Sequence, residues 1–318
     1  MKVLISEHLV DELASRVRQV APMCAVVPVT REGEVQGKID GAEVFLLHWD
    51  VSREGFRRLI ADTPSLRWVH TASAGVNHVL FPLLTESDIL LTNASGVFNI
   101  PIAETVLAYM LAVTKRLPEF WDQQQAHRWH KLELRELRGL TAGVVGLGDI
   151  GTEVARLARV FGMRVVATKR HPEKGAEAAD LVLSPERLPD LLAQSDFVII
   201  TVPLTRETRY LIDAQALAQM KKSAWLINIA RGAIVDESAL VEALQEERIG
   251  GACLDVFEEE PLSEDSPLWG LPGVVITPHN SWSSSRLQER EVELFLENLR
   301  RYVTGKPLLN VVNKRAGY

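Results

Sequence analysis

Three residues of this chain have the types and the placement to hold an anionic substrate and move a proton. Arg231 follows the apolar run 225–229, Glu260 ends the acidic stretch Glu258-Glu259-Glu260-Pro261 after the run 251–256, and His279 follows the run 274–277. A guanidinium matches a carboxylate with two parallel N–H···O bonds. An imidazole titrates near neutrality, and a carboxylate beside it orients the ring and favours its protonated form. Taken singly, an arginine after a strand is ordinarily a surface charge and a histidine ordinarily structural. Agreement among three separate strand ends favours catalysis. Glu258 and Glu259 read as solvated surface, and the other seven histidines, His8 and His48 among them, have no motif context and read as structural.

A second constellation suits phosphate. In Gly146-Leu147-Gly148-Asp149-Ile150-Gly151 the first glycine permits a tight strand-to-helix turn, the second lets a pyrophosphate approach the backbone, and the third lets helix and strand pack closely. The helix N-terminus then offers free N–H groups and partial positive charge to the anion. Context raises this pattern above chance. The short β-type run 142–145 precedes it, Ile150, Val154, Leu157, Ala158 and Phe161 recur at helical spacing after it, Gly162 closes the helix, and a second strand starts at Val165. A fold selective for NAD ordinarily ends that second strand in an acid, about 20 residues on, which bonds the ribose hydroxyls. Here the position holds Lys169, followed by Arg170. Two cations suit a 2′-phosphate, so NADP(H) is the expected preference and NAD(H) a possible second cofactor.

These residues must be positioned by an alternating chain. Strands are expected at 2–6, 24–29, 42–47, 67–71 and 89–92, with helices at 10–20 and 52–61 between them. A long helix begins near Pro101, with Ala103, Val106, Leu107, Met110, Leu111 and Leu117 as one apolar stripe, and a polar segment 121–138 leads to the glycine turn. Beyond it come strands at 197–202, 225–229, 251–256 and 274–277, helices at 213–220 and 237–246, and a last amphipathic helix at 286–302. Strand–helix alternation implies α/β architecture with mostly parallel sheets, which bind ligands beyond the carboxyl ends of their strands.

Composition sets the outer limits. The chain has 318 residues, 47% hydrophobic and 24% charged, enough for two ordinary domains. A net charge of −7 gives no reason to expect a nucleic-acid partner. No apolar stretch approaches a membrane span, and residues 1–6 read as a strand rather than a secretion signal, so the expected compartment is the cytoplasm. Cys24 and Cys253 read as buried reduced thiols, and no metal site is expected.

The motifs in their order resemble the D-isomer-specific 2-hydroxyacid dehydrogenase family, which includes glyoxylate/hydroxypyruvate reductases and phosphoglycerate dehydrogenase. The resemblance spans nearly the whole length and rests on Gly146 to Gly151, Val202-Pro203-Leu204-Thr205, Asn228-Ile229-Ala230-Arg231-Gly232, Leu254-Asp255-Val256-Phe257-Glu258-Glu259-Glu260-Pro261 and Thr277-Pro278-His279. It implies two Rossmann-like doubly wound parallel-sheet domains: residues 1–99 and 284–318 as the substrate domain, with the dinucleotide domain 100–283 inserted. Closure of the cleft between them would exclude water. Arg231 would bind the substrate carboxylate and carbonyl oxygen, His279 would be the acid/base, and Glu260 would favour its protonated form. Gly146, Gly148, Asp149, Ile150, Gly151, Lys169, Arg170, Pro203 and Ile229 would line the dinucleotide, with Asp255 on the nicotinamide carboxamide.

For the substrate, the resemblance places the backbone of Ala74, Gly75 and Val76 on its carboxylate. Trp49 and Trp282 suit either a pocket wall or ordinary packing. A small 2-oxo or 2-hydroxy acid as substrate and a homodimer are likewise implied. Two other readings stay open. Formate or phosphite oxidation belongs to the same superfamily, but formate enzymes pair the histidine with glutamine where Glu260 stands. A nicotinamide-sensing binding protein, similar to the family's corepressors, would keep the same residues without turnover.

Overall fold

A computed structural model of the chain describes residues 1–76, 78–174 and 177–315. In chain order the elements are β1 (Lys2–Ser6), α1 (Val10–Val20), β2 (Ala25–Val29), β3 (Ala42–Leu47), α2 (Arg53–Asp62), β4 (Trp68–Thr71), α3 (Pro82–Thr85), β5 (Leu90–Thr92), α4 (Asn99–Thr114) and α5 (Leu117–Gln125). They continue with β6 (Thr141–Val145), α6 (Asp149–Val160), β7 (Arg164–Thr168), β8 (Leu181–Leu183), α7 (Leu188–Gln194), β9 (Phe197–Ile200), α8 (Ala214–Ala218), β10 (Trp225–Asn228), α9 (Glu237–Gln245), β11 (Gly251–Leu254), β12 (Val274–Ile276) and α10 (Leu287–Val303). The chain forms two compact units, one of Met1–Phe98 with Ser284–Tyr318, the other of Asn99–Ser283.

In the first unit five parallel strands lie in the order β2-β1-β3-β4-β5. Strand side chains alternate between faces, so a strand covered on both sides is apolar at every position. Along β1, Val3 and Ile5 pack with Leu13 and Val17 of α1 and Phe295 and Leu299 of α10. Leu4 points the other way, to Phe45 of β3 and Phe56 and Leu59 of α2. Trp68, fully buried, stacks on Phe295 at 5.6 Å between centroids, which fixes the last helix to the sheet. Each such large side chain stabilises the fold by about 1.5–3 kcal/mol relative to exposure.

The second unit carries seven parallel strands in the order β12-β11-β10-β9-β6-β7-β8. Counted within the unit this is 3-2-1-4-5-6-7, the doubly wound dinucleotide-fold order with one added strand, and it reverses between β6 and β9. α4 packs against α6. Both sheets are thus parallel α/β layers of the Rossmann-like kind. Among the described residues, no helix is long and apolar enough to cross a membrane. Both cysteines are free and buried.

Four short elements depart from the periodicity reading. Leu117 does not continue the α4 stripe: Arg116 takes the left-handed conformation at φ 52°, and Pro118 helps start α5 as a new helix. α5 therefore occupies part of the polar segment 121–138 that leads to the glycine turn. α3, β8 and α7 are additional elements, of four, three and seven residues, too short to show a period of their own.

Candidate active site

The glycine turn divides its labour between fold and ligand. Gly146 has φ 101°, and a Cβ there would lie 2.5 Å from the Val202 side chain. A Cβ on Gly151 would lie 2.2 Å from the Gly146 carbonyl oxygen, so the protein itself requires glycine at both places. Gly148 differs: it is exposed, and a Cβ there would meet nothing within 4 Å. What a side chain at Gly148 would obstruct is an approaching ligand, and Gly148 also caps α6 without a side-chain hydrogen bond to the first-turn N–H groups. Uncapped donors over an open glycine fit a pyrophosphate. Thr201 Oγ1 donates to the carbonyls of Val145 at 3.1 Å and Gly146 at 2.6 Å, and Gly146 N donates to Thr168 Oγ1 at 3.0 Å, which rigidifies the turn.

The β7 strand end is cationic. Lys169 follows Thr168, its backbone N–H donating to Leu183 O at 2.9 Å, and Arg170 stands exposed beside it. A hydrogen bond from Thr205 holds the Glu207 carboxyl below the usual carboxylate range, and the charges of Arg170 and Arg206 add to this. Arg206, in the loop after β9, thus acts on the same small region as Arg170. Pro203, in the same loop, is exposed, and its carbonyl accepts from Thr208 Oγ1 at 2.6 Å. Ile229 is buried just after β10. Asp149 and Ile150 open α6.

The three residues expected to move a proton and hold an anion lie on loops after β10, β11 and β12. Asn228, buried at the end of β10, donates from Nδ2 to Arg231 O at 3.0 Å and accepts from Ala230 N at 3.1 Å, fastening the turn that carries Arg231. A Cβ on Gly232 would lie 1.8 Å from the Phe257 carbonyl carbon, so this turn is seated directly on the loop after β11. Arg231 itself is exposed. Nη1 donates to the Ala230 carbonyl at 2.6 Å, and among the described residues no carboxylate pairs with it. Its guanidinium therefore keeps donors for an incoming carboxylate.

Glu260 spans the other two loops. One oxygen accepts from Phe257 N at 3.0 Å, and the other lies 2.7 Å from His279 Nδ1. That contact orients the ring and leaves Nε2 as its other hydrogen-bonding atom. His279 has φ 48°, a left-handed conformation that histidine adopts more readily than most residues. Its N–H donates to Asp255 O at 2.7 Å, and its carbonyl accepts from Trp282 Nε1 at 2.7 Å. Trp282 is thus a brace for the His279 backbone.

Asp255 is fully buried behind this loop. Its carboxylate accepts from Asn280 N at 2.9 Å, Ser281 N at 3.0 Å and the Thr277 hydroxyl, which in turn meets the Tyr109 hydroxyl of α4. Of about four acceptor sites on a carboxylate, three are taken by protein donors. Burial raises the Tyr109 hydroxyl well above its ordinary range, so it serves this chain as a neutral donor or acceptor. Asn228, Thr201, Thr277 and Tyr109 are supports to which sequence spacing gave no role of their own, whereas Trp282, read along the chain as pocket wall or packing, packs as this brace.

The expected substrate residues belong to the first unit. Ala74 O accepts from Asn93 Nδ2 at 2.7 Å, Gly75 O accepts from Ser73 Oγ at 3.0 Å, and Val76 is buried. Trp49, 49% exposed, sets its ring edge-on to His48 at 5.7 Å.

Residues 107–281 match a family model described as D-isomer specific 2-hydroxyacid dehydrogenase, NAD binding domain. D-3-phosphoglycerate dehydrogenase of Methanocaldococcus jannaschii is 33% identical over 98% of this chain, which spans only 59% of that enzyme's length. Glyoxylate reductase of Aeropyrum pernix is 38% identical over 80% of this chain and 79% of its own. A crystal structure of a D-isomer specific 2-hydroxyacid dehydrogenase from Xanthobacter autotrophicus Py2, in complex with NADPH and MES, has a TM-score of 0.85 at 32% identity and covers 100% of this chain and 99% of that one. With more than half its length matched by the family model and relatives aligned over most of theirs, the chain belongs to the D-isomer specific 2-hydroxyacid dehydrogenase family.

Proposed function

We propose that the chain is an NADP-preferring reductase of small 2-oxo acids, of the glyoxylate or hydroxypyruvate type. The observation that carries this reading is the 2.7 Å pair of His279 Nδ1 and Glu260, together with an arginine on the turn seated against the same loop that has no carboxylate partner among the described residues. Bound NADPH would supply the hydride. The chain's own residues do the rest. Arg231 holds the substrate carboxylate, and His279 donates from Nε2 to the 2-oxo oxygen as negative charge develops there. Glu260 compensates the positive ring before the proton leaves. The backbone of Ala74, Gly75 and Val76 takes part in holding the carboxylate. Asp255, fully buried, acts on the His279 loop through the three donors that it accepts from. NADPH in the Xanthobacter structure and the glyoxylate reductase name of the Aeropyrum relative support the cofactor and substrate class.

The test is a panel of glyoxylate, hydroxypyruvate, pyruvate and longer branched 2-oxo acids, each assayed for oxidation of NADPH. Turnover with at least one of the two smallest polar acids is expected. Tight NADPH binding with no oxidation by any acid would instead favour the nicotinamide-sensing reading.

We further propose a homodimer built through α5 and the stretch after it. Trp121, Trp129 and Leu134 are 58%, 97% and 45% exposed, and Phe120, Gln124, Trp129 and Leu132 line a groove of about 720 Å³. Apolar side chains so concentrated are costly to leave in water, and a second copy of the same segment is a self-complementary cover. Light scattering should give twice the 35.4 kDa chain mass for the wild type and a shift towards that mass for Trp129→Glu. A monomeric wild type overturns the proposal.

A further inference from the structure

The carboxyl edge of the first unit's sheet holds a cluster that the proton-transfer group in the second unit does not use. Strand order reverses between β1 and β3, and such a switch point is where an open parallel sheet leaves room for a ligand. β1 ends at the buried Ser6, and His8 follows two residues later. β3 ends at Leu47, and His48 and Asp50 follow it. His8 Nδ1 lies 2.9 Å from one Asp50 oxygen, and His48 Nδ1 lies 3.1 Å from the other. Ser6 Oγ donates to Asp50 Oδ1 at 2.9 Å. The candidate donor atoms of all three residues lie within 4.8 Å of one another.

We propose that His8, His48 and Asp50 form a binding site for one divalent transition-metal ion, zinc before the others. Two imidazoles and a carboxylate are the ligand types that suit zinc, and three protein ligands leave a fourth position for water. Metal–ligand bonds of about 2.0–2.2 Å in a tetrahedron hold neighbouring donor atoms about 3.4 Å apart. With Asp50 ligating through one oxygen, the histidine already on that oxygen needs to move away by only a few tenths of an ångström, and the remaining separations, within 4.8 Å, need to close by about 1.4 Å at most. His8, whose side chain is 45% exposed and whose ring already lies 4.8 Å from that of His48 between centroids, supplies this closure by rotation.

Protonation states favour the same outcome. Burial holds His48 below the ordinary histidine range, so the neutral, ligating form prevails near neutrality, although its bond to Asp50 works in the other direction. Burial alone would raise the Asp50 carboxyl, but the Ser6 hydrogen bond and the two histidines outweigh it and hold the carboxyl ionised. Ser6 is then an outer-shell donor that orients the carboxylate, as the partners of metal ligands commonly do. An ion here would tie the β1 and β3 loops together across the switch point.

Titration calorimetry of zinc chloride into the metal-free full-length chain near pH 7.5 tests this. One zinc per chain is expected, with affinity at least tenfold weaker in His48→Ala and in His8→Ala, and unchanged in His171→Ala, which removes an exposed histidine of the second unit paired with Glu173. Because His8 is exposed, His8→Ala keeps the test decisive if the half-buried His48→Ala disturbs folding. Cobalt in place of zinc should give the visible absorption of a low-symmetry four-coordinate ion in the wild type and lose it in His8→Ala. Absence of zinc uptake, or uptake that His8→Ala leaves intact, overturns the proposal and leaves Asp50 as the acceptor of two imidazole N–H groups.

Discussion

His279→Ala is expected to lower turnover with the best 2-oxo acid by roughly 10²–10⁴-fold while leaving NADPH binding largely intact. Among the described residues, the ring is the only titratable side chain that the loops after β10, β11 and β12 place against both Glu260 and open solvent, with a side-chain exposure of 41%. Removing it leaves the 2-oxo oxygen to take its proton from water. The backbone complicates this variant, because position 279 has φ 48°, where alanine costs about 1–2 kcal/mol that histidine and asparagine partly avoid. His279→Asn is therefore the cleaner partner. It tolerates the left-handed turn, keeps the N–H to Asp255 and the carbonyl to Trp282, and cannot transfer a proton. Both variants should lose turnover to a similar extent. Glu260→Gln should lose less, since it removes the compensating charge but not the acid. Wild-type turnover in His279→Asn would sink the acid/base assignment.

Much of this arrangement was legible in the residues, and what was not has a common cause. The strand–helix alternation, the glycine turn and the three strand-end groups are local patterns, so they survive without coordinates. β8 escaped because three residues show no period, and α5 because Arg116 breaks a stripe that continues through Leu117 in the linear pattern. The roles of Asp255 and Asn228 depend on which loops the sheet order makes neighbours. The resemblance implies a ligand contact for Asp255, and only the placing of β11 beside β12 reveals its second role, as acceptor of three donors from the 277–281 loop. His8 and His48 read as two unrelated structural histidines, 40 positions apart. Only the pairing of β1 with β3 brings them to one carboxylate.

The double variant Lys169→Asp with Arg170→Ala is expected to lower the ratio of kcat/KM for NADPH to that for NADH by about 10²-fold. In the proposed reading both cations meet the 2′-phosphate, and a hydrogen bond between charged groups contributes about 1.5–3 kcal/mol. Two such contacts would span roughly 10²–10⁴ at about 1.4 kcal/mol per tenfold. The lower end applies because Arg170 is exposed and Lys169 only half-buried, so solvent screens both. The carboxylate introduced at position 169 acts twice, repelling the dianion and accepting from the ribose hydroxyls that NADH presents. The fold should tolerate the change, since the contact that ties residue 169 to β8 is made by its backbone N–H to Leu183 O at 2.9 Å. Glu207 already shares the field of Arg170 and Arg206, so the phosphate competes with a resident anion for the same charge. Screening then supplies an independent check. The wild-type preference for NADPH should shrink as ionic strength rises from about 0.01 M to 0.15 M, where the Debye length falls from about 30 to 8 Å, while the preference of the double variant should barely move. A ratio unchanged by the double substitution would mean that neither cation touches the phosphate, whatever the strand end suggests.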